Sequence, residues 1–176
     1  MAGHLQQHLR QHKPFDSPEA EAFLNVLRTA AVLTQGLVEV LRPYDLSQPQ
    51  YNVLRILRGA EPAGLPSMEV GERMVGRDPD VTRLLDRLER RGLVVRARDA
   101  ADRRVVVARL TAEGRRVVDA LDAPVRAMHR RQLGHLDADA LRALSDLLEA
   151  ARHEAAPVDG EPLSPGPDHA SDAPQP

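Results

Sequence analysis

Cysteine is absent from the 176 residues, and so is tryptophan. The first absence removes disulfide staples, thiolate metal sites, a cysteine nucleophile and a thiol redox sensor, and it suits a reducing compartment. Only four aromatic residues occur, Phe15, Phe23, Tyr44 and Tyr51, too few for the stacking platforms of RNA-recognition and single-strand-binding proteins. No run approaches the roughly 20 apolar residues of a membrane span, and residues 1–13 alternate apolar with polar rather than forming a signal-peptide core. A cytoplasmic chain with no membrane partner is therefore expected. A Gly-rich phosphate loop, a His-Glu metal helix and a Ser-His-Asp arrangement are also missing, so neither catalysis nor a cofactor nor a metal is expected.

What is present is a core-forming composition, 42% hydrophobic and 28% charged, enough for one domain. The net charge of -2 conceals a strong segregation. Residues 1–72 carry six basic and eight acidic side chains, residues 73–131 sixteen and nine, and residues 132–176 two and nine. A basic middle between acidic flanks fits a chain in which one segment meets a polyanion and the rest faces other partners. Lysine occurs once, at Lys13, so arginine carries that charge.

Residues 1–17 are polar, end in turn formers and read as a flexible arm. His4, His8 and His12 recur at intervals of four within it, which on a helix would align three imidazoles, but a solvated polar segment is the preferred reading. From Pro18 to about Arg42, Phe23, Leu27, Ala30, Thr34, Leu37 and Leu41 fall at steps of four and three, with Ser17 as N-cap and Pro18 at the first helical position. Such near-heptad spacing predicts packing against another long helix, in a second subunit. A second helix covers residues 48–58, the stretch 59–66 stops it, and a short helix from Ser67 to Met74 offers Met68, Val70 and Met74 to the core. After a tight turn at residues 75–77, Asp78 is the expected N-cap, Pro79 the first helical residue and Asp80 a first-turn acid, with the helix running to Arg91 and Gly92 as its left-handed terminator. Residues 93–98 and 105–110 are β-branched runs around a polar loop, a hairpin. Thr111 starts a helix bearing Val117, Leu121, Val125 and Met128, although Gly114 stands where a capping box would place Glu or Gln. A final helix from about Asp137 to His153 presents Leu141, Leu144 and Leu148, and the proline-rich residues 156–176 read as a disordered tail.

Two short helices, a tight turn and a hairpin form a helix-turn-helix with a wing. On the second helix Val81, Leu84, Leu85 and Leu88 share one arc, which must face the core. The opposite arc carries Pro79, Arg83, Asp86, Arg87 and Arg90, with Asp80 and Thr82 at its margins. Arginine supplies the forked donors that guanine O6 and N7 require. Arg83, one turn into the helix, is placed for base edges, and Arg87 and Arg90 for phosphates. A plain solvated face balanced by Asp86 and Glu89 is the alternative for this helix alone. Asp80 admits two roles, accepting from cytosine or complementing the helix dipole, with the second preferred. His129, beside Arg130 and Arg131, reads as surface or interface.

The residues LSQPQYNVLRIL (46–57), PDVTRLLDRLERRGLVVR (79–96) and DRRVVVARLTAEG (102–114), in this order and spacing, resemble the multiple-antibiotic-resistance regulator (MarR) family of winged-helix transcription factors. The resemblance covers about residues 18–153 and implies a mainly α fold with a small β-hairpin. The winged helix-turn-helix would span about 46–111, with dimerisation helices at about 18–42 and 112–153. It implies a homodimer on double-stranded DNA, probing a palindromic operator as a repressor. Phe23, Leu27, Ala30, Leu37, Leu41, Leu141, Leu144 and Leu148 are the expected interface residues. It further implies that Arg104 of the wing enters the minor groove, that Asp102 holds it in position and that Arg103 shares the duty. A small, commonly phenolic, anion is the implied effector, with no pocket residue assignable. The arm and the tail fall outside the family pattern. A winged-helix adaptor that touches no DNA is the rival reading; it needs the leucine periodicities but not the basic segment.

Overall fold

Capping chemistry sets the boundaries of the helices. Ser17 Oγ accepts the backbone N–H of Ala20 and Pro18 opens helix α2 (Pro18–Leu41), as the sequence predicts. Helix α3 (Gln48–Gly59) starts with a reciprocal capping box, Ser47 Oγ accepting from Gln50 N while Ser47 N donates to Gln50 Oε1. A 3-10 turn, Arg42–Tyr44, joins the two. Strand β1 (Leu65–Pro66) and helix α4 (Ser67–Glu72) follow, then helix α5 (Val81–Arg90), strands β2 (Val94–Arg98) and β3 (Val106–Leu110), and helices α6 (Ala112–Leu133) and α7 (Ala138–Glu154). The computed structural model describes residues 4–76, 80–99 and 102–154. Asp78 and Pro79, expected to start α5, the end of the expected turn at Arg77, and the tail at 156–176 lie outside the described residues. The chain divides into two units, residues 1–135 and 136–176, and α7 belongs to the second.

The winged helix-turn-helix is present, with one addition: the hairpin acquires a third strand. β1 pairs antiparallel with β3, Leu65 opposite Ala108 and Pro66 opposite Val107, giving the order β1-β3-β2. Sequence pattern stops at residue 66 because a two-residue strand containing proline carries no period; its pairing comes from β3 across the fold. The hairpin register sets Val94 opposite Leu110 and Arg98 opposite Val106.

Leu54, Leu57, Val70, Leu85, Leu88 and Leu121 are fully enclosed in the core between α3, α4, α5 and α6. The apolar arc of α5 faces it as expected, Leu84, Leu85 and Leu88 buried and Val81 packed at its edge. Two assignments differ. Leu41 is 0% exposed within its own chain, so it has no surface left for a partner; heptad spacing cannot distinguish an intrachain from an interchain neighbour. Met68 is 77% exposed rather than in the core, because α4 is one short turn and buries only Val70. On α6 the fully buried valine is Val118, while Val117 packs partly buried at the core's edge.

The N-terminal arm is more structured than its composition predicts, with helix α1 (His4–His8) and a buried Leu5. His12 lies beyond the end of α1, so the three histidines do not share one helical face. Helix α2 also corrects the expectation that no run nears membrane length. The segment Pro18–Tyr44, α2 with the turn that follows it, is long and apolar enough to cross a membrane by length and composition only. A helix that is apolar most of the way round equally fits a site between two protein surfaces.

The wing closes against α6 through a contact that only glycine permits. Thr111 Oγ1 accepts the Gly114 N–H and donates to Gly92 O at 2.6 Å, while Thr111 N donates to Leu93 O. A Cβ on Gly114 would lie 2.0 Å from the Leu93 carbonyl oxygen. The glycine that breaks the capping-box pattern is therefore there to admit the Leu93 carbonyl, just ahead of β2. Gly114→Ala is expected to destabilise the fold by about 1–3 kcal/mol, the usual cost of overpacking, read as a fall in thermal midpoint. A melt unchanged from the parent would show that the contact relaxes freely.

Candidate nucleic-acid interface

Helix α5 is anchored at both ends. Asn52 of α3 accepts the Val75 N–H through Oδ1 at 2.8 Å, fixing the chain as it leaves α4. At the start of α5, Asp80 is the N-cap, its Oδ1 accepting Arg83 N at 3.0 Å. The expected capping function thus falls on Asp80, two residues later than the sequence reading placed it. At the other end Gly92 adopts φ +68, its N–H bonding to Glu89 O and the Leu93 N–H to Leu88 O. This is a Schellman ending, and it turns the chain sharply into β2.

On the outward side of α5, Thr82, Arg83, Arg87 and Arg90 are exposed. Arg83 is 76% exposed, and its Nε lies 2.8 Å from Asp80 Oδ2, an i,i+3 ion pair. Asp86 departs from the expectation. Its Oδ1 receives Arg96 Nη2 at 2.5 Å, so it is turned toward the wing rather than outward. Glu89 completes the junction, Oε1 accepting Arg96 N at 2.9 Å and Oε2 accepting Nε and Nη2 at 3.0 and 2.7 Å. Arg96 thereby ties strand β2 to α5 through one guanidinium. Its bonds hold the Glu89 carboxyl below the usual carboxylate range, chiefly through the side-chain contacts and then the backbone N–H. Sequence reasoning balanced Asp86 and Glu89 against helix neighbours and missed Arg96; the pairing depends on β2 folding back over α5.

At the wing tip Asp102 Oδ1 accepts the Arg104 N–H at 2.9 Å, and Val105 N donates to Asp102 O at 3.0 Å. Asp99 accepts the Asp102 N–H at 3.1 Å. Asp102 therefore holds the backbone of the turn, and Arg103 and Arg104 are exposed. The arginines of α5 and those of the wing belong to separate elements joined by the Arg96 bridge, a face made of two positively charged projections.

Beside this face lies a cavity of about 580 Å³ that the sequence does not disclose, lined by Val38, Arg42, Asp45, Leu46, Ser47, Gln50, Arg87, Arg90 and Arg91. Four arginines there oppose one aspartate. Arg91 donates to Tyr44 O at 2.8 Å and to Asp45 O, stitching the end of α5 to the α2–α3 junction. Arg42 lies far from residues 87–91 in sequence, so no local pattern foretells the cluster.

The chain matches the MarR family model over residues 44–105. It is 39% identical over 141 residues to the HTH-type transcriptional regulator TtmR of Methylorubrum extorquens, covering 78% of this chain and 69% of that protein. Among solved structures, a mutant MarR from E. coli complexed with operator DNA superposes with a TM-score of 0.65 at 28% identity, over 72% of this chain and 89% of that one. The PcaV regulator of Streptomyces coelicolor, in complex with its natural ligand, gives a TM-score of 0.62 at 34% identity, over 72% and 91%.

The Arg96 junction has a defined pH dependence. A carboxyl whose folded pKa is depressed stabilises the protein above its unfolded pKa, about 4.3 for Glu, and that contribution is lost as pH falls through the folded value. Glu89→Gln is therefore expected to melt below the parent at neutral pH, with the gap narrowing below about pH 4. Paired thermal melts from pH 3 to 7 check this; a gap independent of pH would mean that the charge of Glu89 is not what holds the wing.

Proposed function

The chain belongs to the MarR family of transcriptional regulators, and on that footing we propose that it is a homodimeric repressor of a palindromic operator, released by a small anion. The observation that carries this reading is the pair of arginine-bearing projections. Arg83, Arg87 and Arg90 stand outward on a helix capped at both ends, and Arg103 and Arg104 stand at the tip of a wing braced to it. Arg83 reads base edges in the major groove, Arg87 and Arg90 hold phosphates, and Arg104 enters the minor groove. Asp80 and Thr82 accompany Arg83 at the helix start, and Pro79, which the sequence adds to this group, lies outside the described residues. The DNA is the chromosome of the cytoplasm. A protein-binding adaptor would have no use for the basic segment.

Dimerisation is supported by apolar surface left in water. Phe23 is 62% and Leu27 51% exposed on α2, with Val26 and Val32 also open and Ala30 on the same helix. A second copy of the chain covers them, and Leu37 continues the stripe toward the core. Leu141, Leu144 and Leu148 of α7 are proposed as further contacts with a second copy of the chain. Two recognition helices related by a dyad then meet half-sites about one helical turn, roughly 10 base pairs, apart.

The two projections fail differently when cut back. Arg83→Ala is expected to lose about 1–3 kcal/mol of operator binding and to narrow the gap to random DNA. Arg104→Ala should weaken operator and random DNA together and lower the salt slope by about one unit. Titrations at several salt concentrations, beside a thermal melt, distinguish these. Unchanged affinity in both variants would remove the DNA-binding role from these residues.

The cationic cavity supports the effector reading. It joins apolar Val38 and Leu46 to four arginines, a match for an aromatic carboxylate or phenolate. Because Arg87 and Arg90 line it and also face outward from α5, an anion there competes with phosphate for the same side chains. Arg42→Ala should leave operator binding nearly intact and abolish its release by hydroxybenzoates at millimolar concentration. Release undiminished in Arg42→Ala would place the effector elsewhere.

A further inference from the structure

Asp80 engages Arg83 twice, through a backbone N–H and through the guanidinium, and the second contact exceeds what a helix cap requires. Oδ1 takes the Arg83 N–H at 3.0 Å, and Oδ2 lies 2.8 Å from Arg83 Nε. The pairing engages the Nε side of the guanidinium and leaves the terminal NH2 groups to donate. An arginine on an exposed surface samples many rotamers, and a base contact must fix one of them. Here one carboxylate, held in place by the helix start, limits that sampling before DNA arrives.

We propose that Asp80 is a specificity-determining positioning residue: it presents the Arg83 guanidinium to a guanine edge and penalises its use on phosphate. The penalty follows from charge. Arg83 paired with Asp80 contributes little net positive field, so it adds little to sequence-independent binding, which depends on net phosphate neutralisation. A guanine edge, by contrast, rewards geometry, because O6 and N7 accept only from a correctly aligned fork. One ion pair therefore raises the operator-to-random ratio from both directions. This gives Asp80 a role beyond the helix-start cap that its sequence position suggested, and one different from accepting from cytosine. It rests on the proposal that Arg83 reads bases.

Asparagine separates cap from positioning. In Asp80→Asn the side-chain oxygen still accepts the Arg83 N–H, and asparagine is as good an N-cap as aspartate, but the amide carries no charge to hold Nε. With an operator isolated by selection of bound duplex fragments, Asp80→Asn is expected to melt like the parent and bind random duplex more tightly. Its operator-to-random ratio should drop about tenfold, within the range of one bidentate base contact. Replacing operator guanines one at a time by a deaza analogue lacking N7 should reveal a position at which the parent loses affinity and Asp80→Asn does not. An unchanged ratio and unchanged analogue sensitivity in Asp80→Asn, with Arg83→Ala impaired, would overturn the positioning role and leave Asp80 a cap. Normal operator binding by Arg83→Ala would instead overturn the base-reading role on which it depends.

Discussion

One guanidinium fixes the relation between the two parts that would touch DNA. Arg96, on β2, is held by Asp86 and Glu89 of α5 through its backbone N–H, Nε and Nη2. The hairpin is already seated through buried Val94, Val107 and Ala108 and through the pairing of β1 with β3, and Arg96 adds a direct tie from β2 to the recognition helix. With it, the Schellman turn at Gly92 and the Thr111–Gly92 bond on the far side make β2 a fixed extension of α5. The side chain is only 21% exposed, and it meets two carboxylates, so the ion pairs are better shielded than ordinary surface pairs. The spacing of the two projections is consequently a property of the folded monomer.

The arginines divide into those whose charge is consumed inside the protein and those whose charge faces outward. Arg58 is spent on Asp119 and Asp122, joining α3 to α6, and this bonding keeps the Asp122 carboxyl below its ordinary range. Arg96 is spent on α5, and Arg91 on backbone carbonyls at the α2–α3 junction. Arg87, Arg103 and Arg104 are exposed. Within residues 73–131, Arg87 and Arg90 on α5 and Arg103 and Arg104 on the wing turn carry outward-facing charge, and Arg126, Arg130 and Arg131 add exposed charge on α6. Local field, more than net charge, sets the attraction to a polyanion.

Much of this was legible in the sequence because it depends on local chemistry. Ser17, Pro18, Thr111 and Gly92 perform the capping and terminating roles their identities announce, and the apolar arc of α5 follows from helical period alone. The family resemblance was legible for the same reason, since its motifs are contiguous. What was missed needed the third dimension. Asp86 lies on the outward arc of an isolated helix, and only β2 passing alongside draws it toward Arg96. Leu41 has the spacing of an interface leucine but is already enclosed by its own chain. β1 and the cavity joining Arg42 to Arg87 and Arg90 assemble from distant segments, and a period-based reading has no access to either.

Two projections set at a fixed distance are proposed to read two grooves on each half of a symmetric site. Chemical interference on the selected operator tests it most directly. Guanine N7 methylation in the major groove and adenine N3 methylation in the minor groove are scored for loss of binding at each base. Two major-groove clusters are expected, related by a dyad and about one helical turn apart, each flanked on its outer side by minor-groove positions. A single unsymmetrical cluster, or interference confined to one groove, would contradict it.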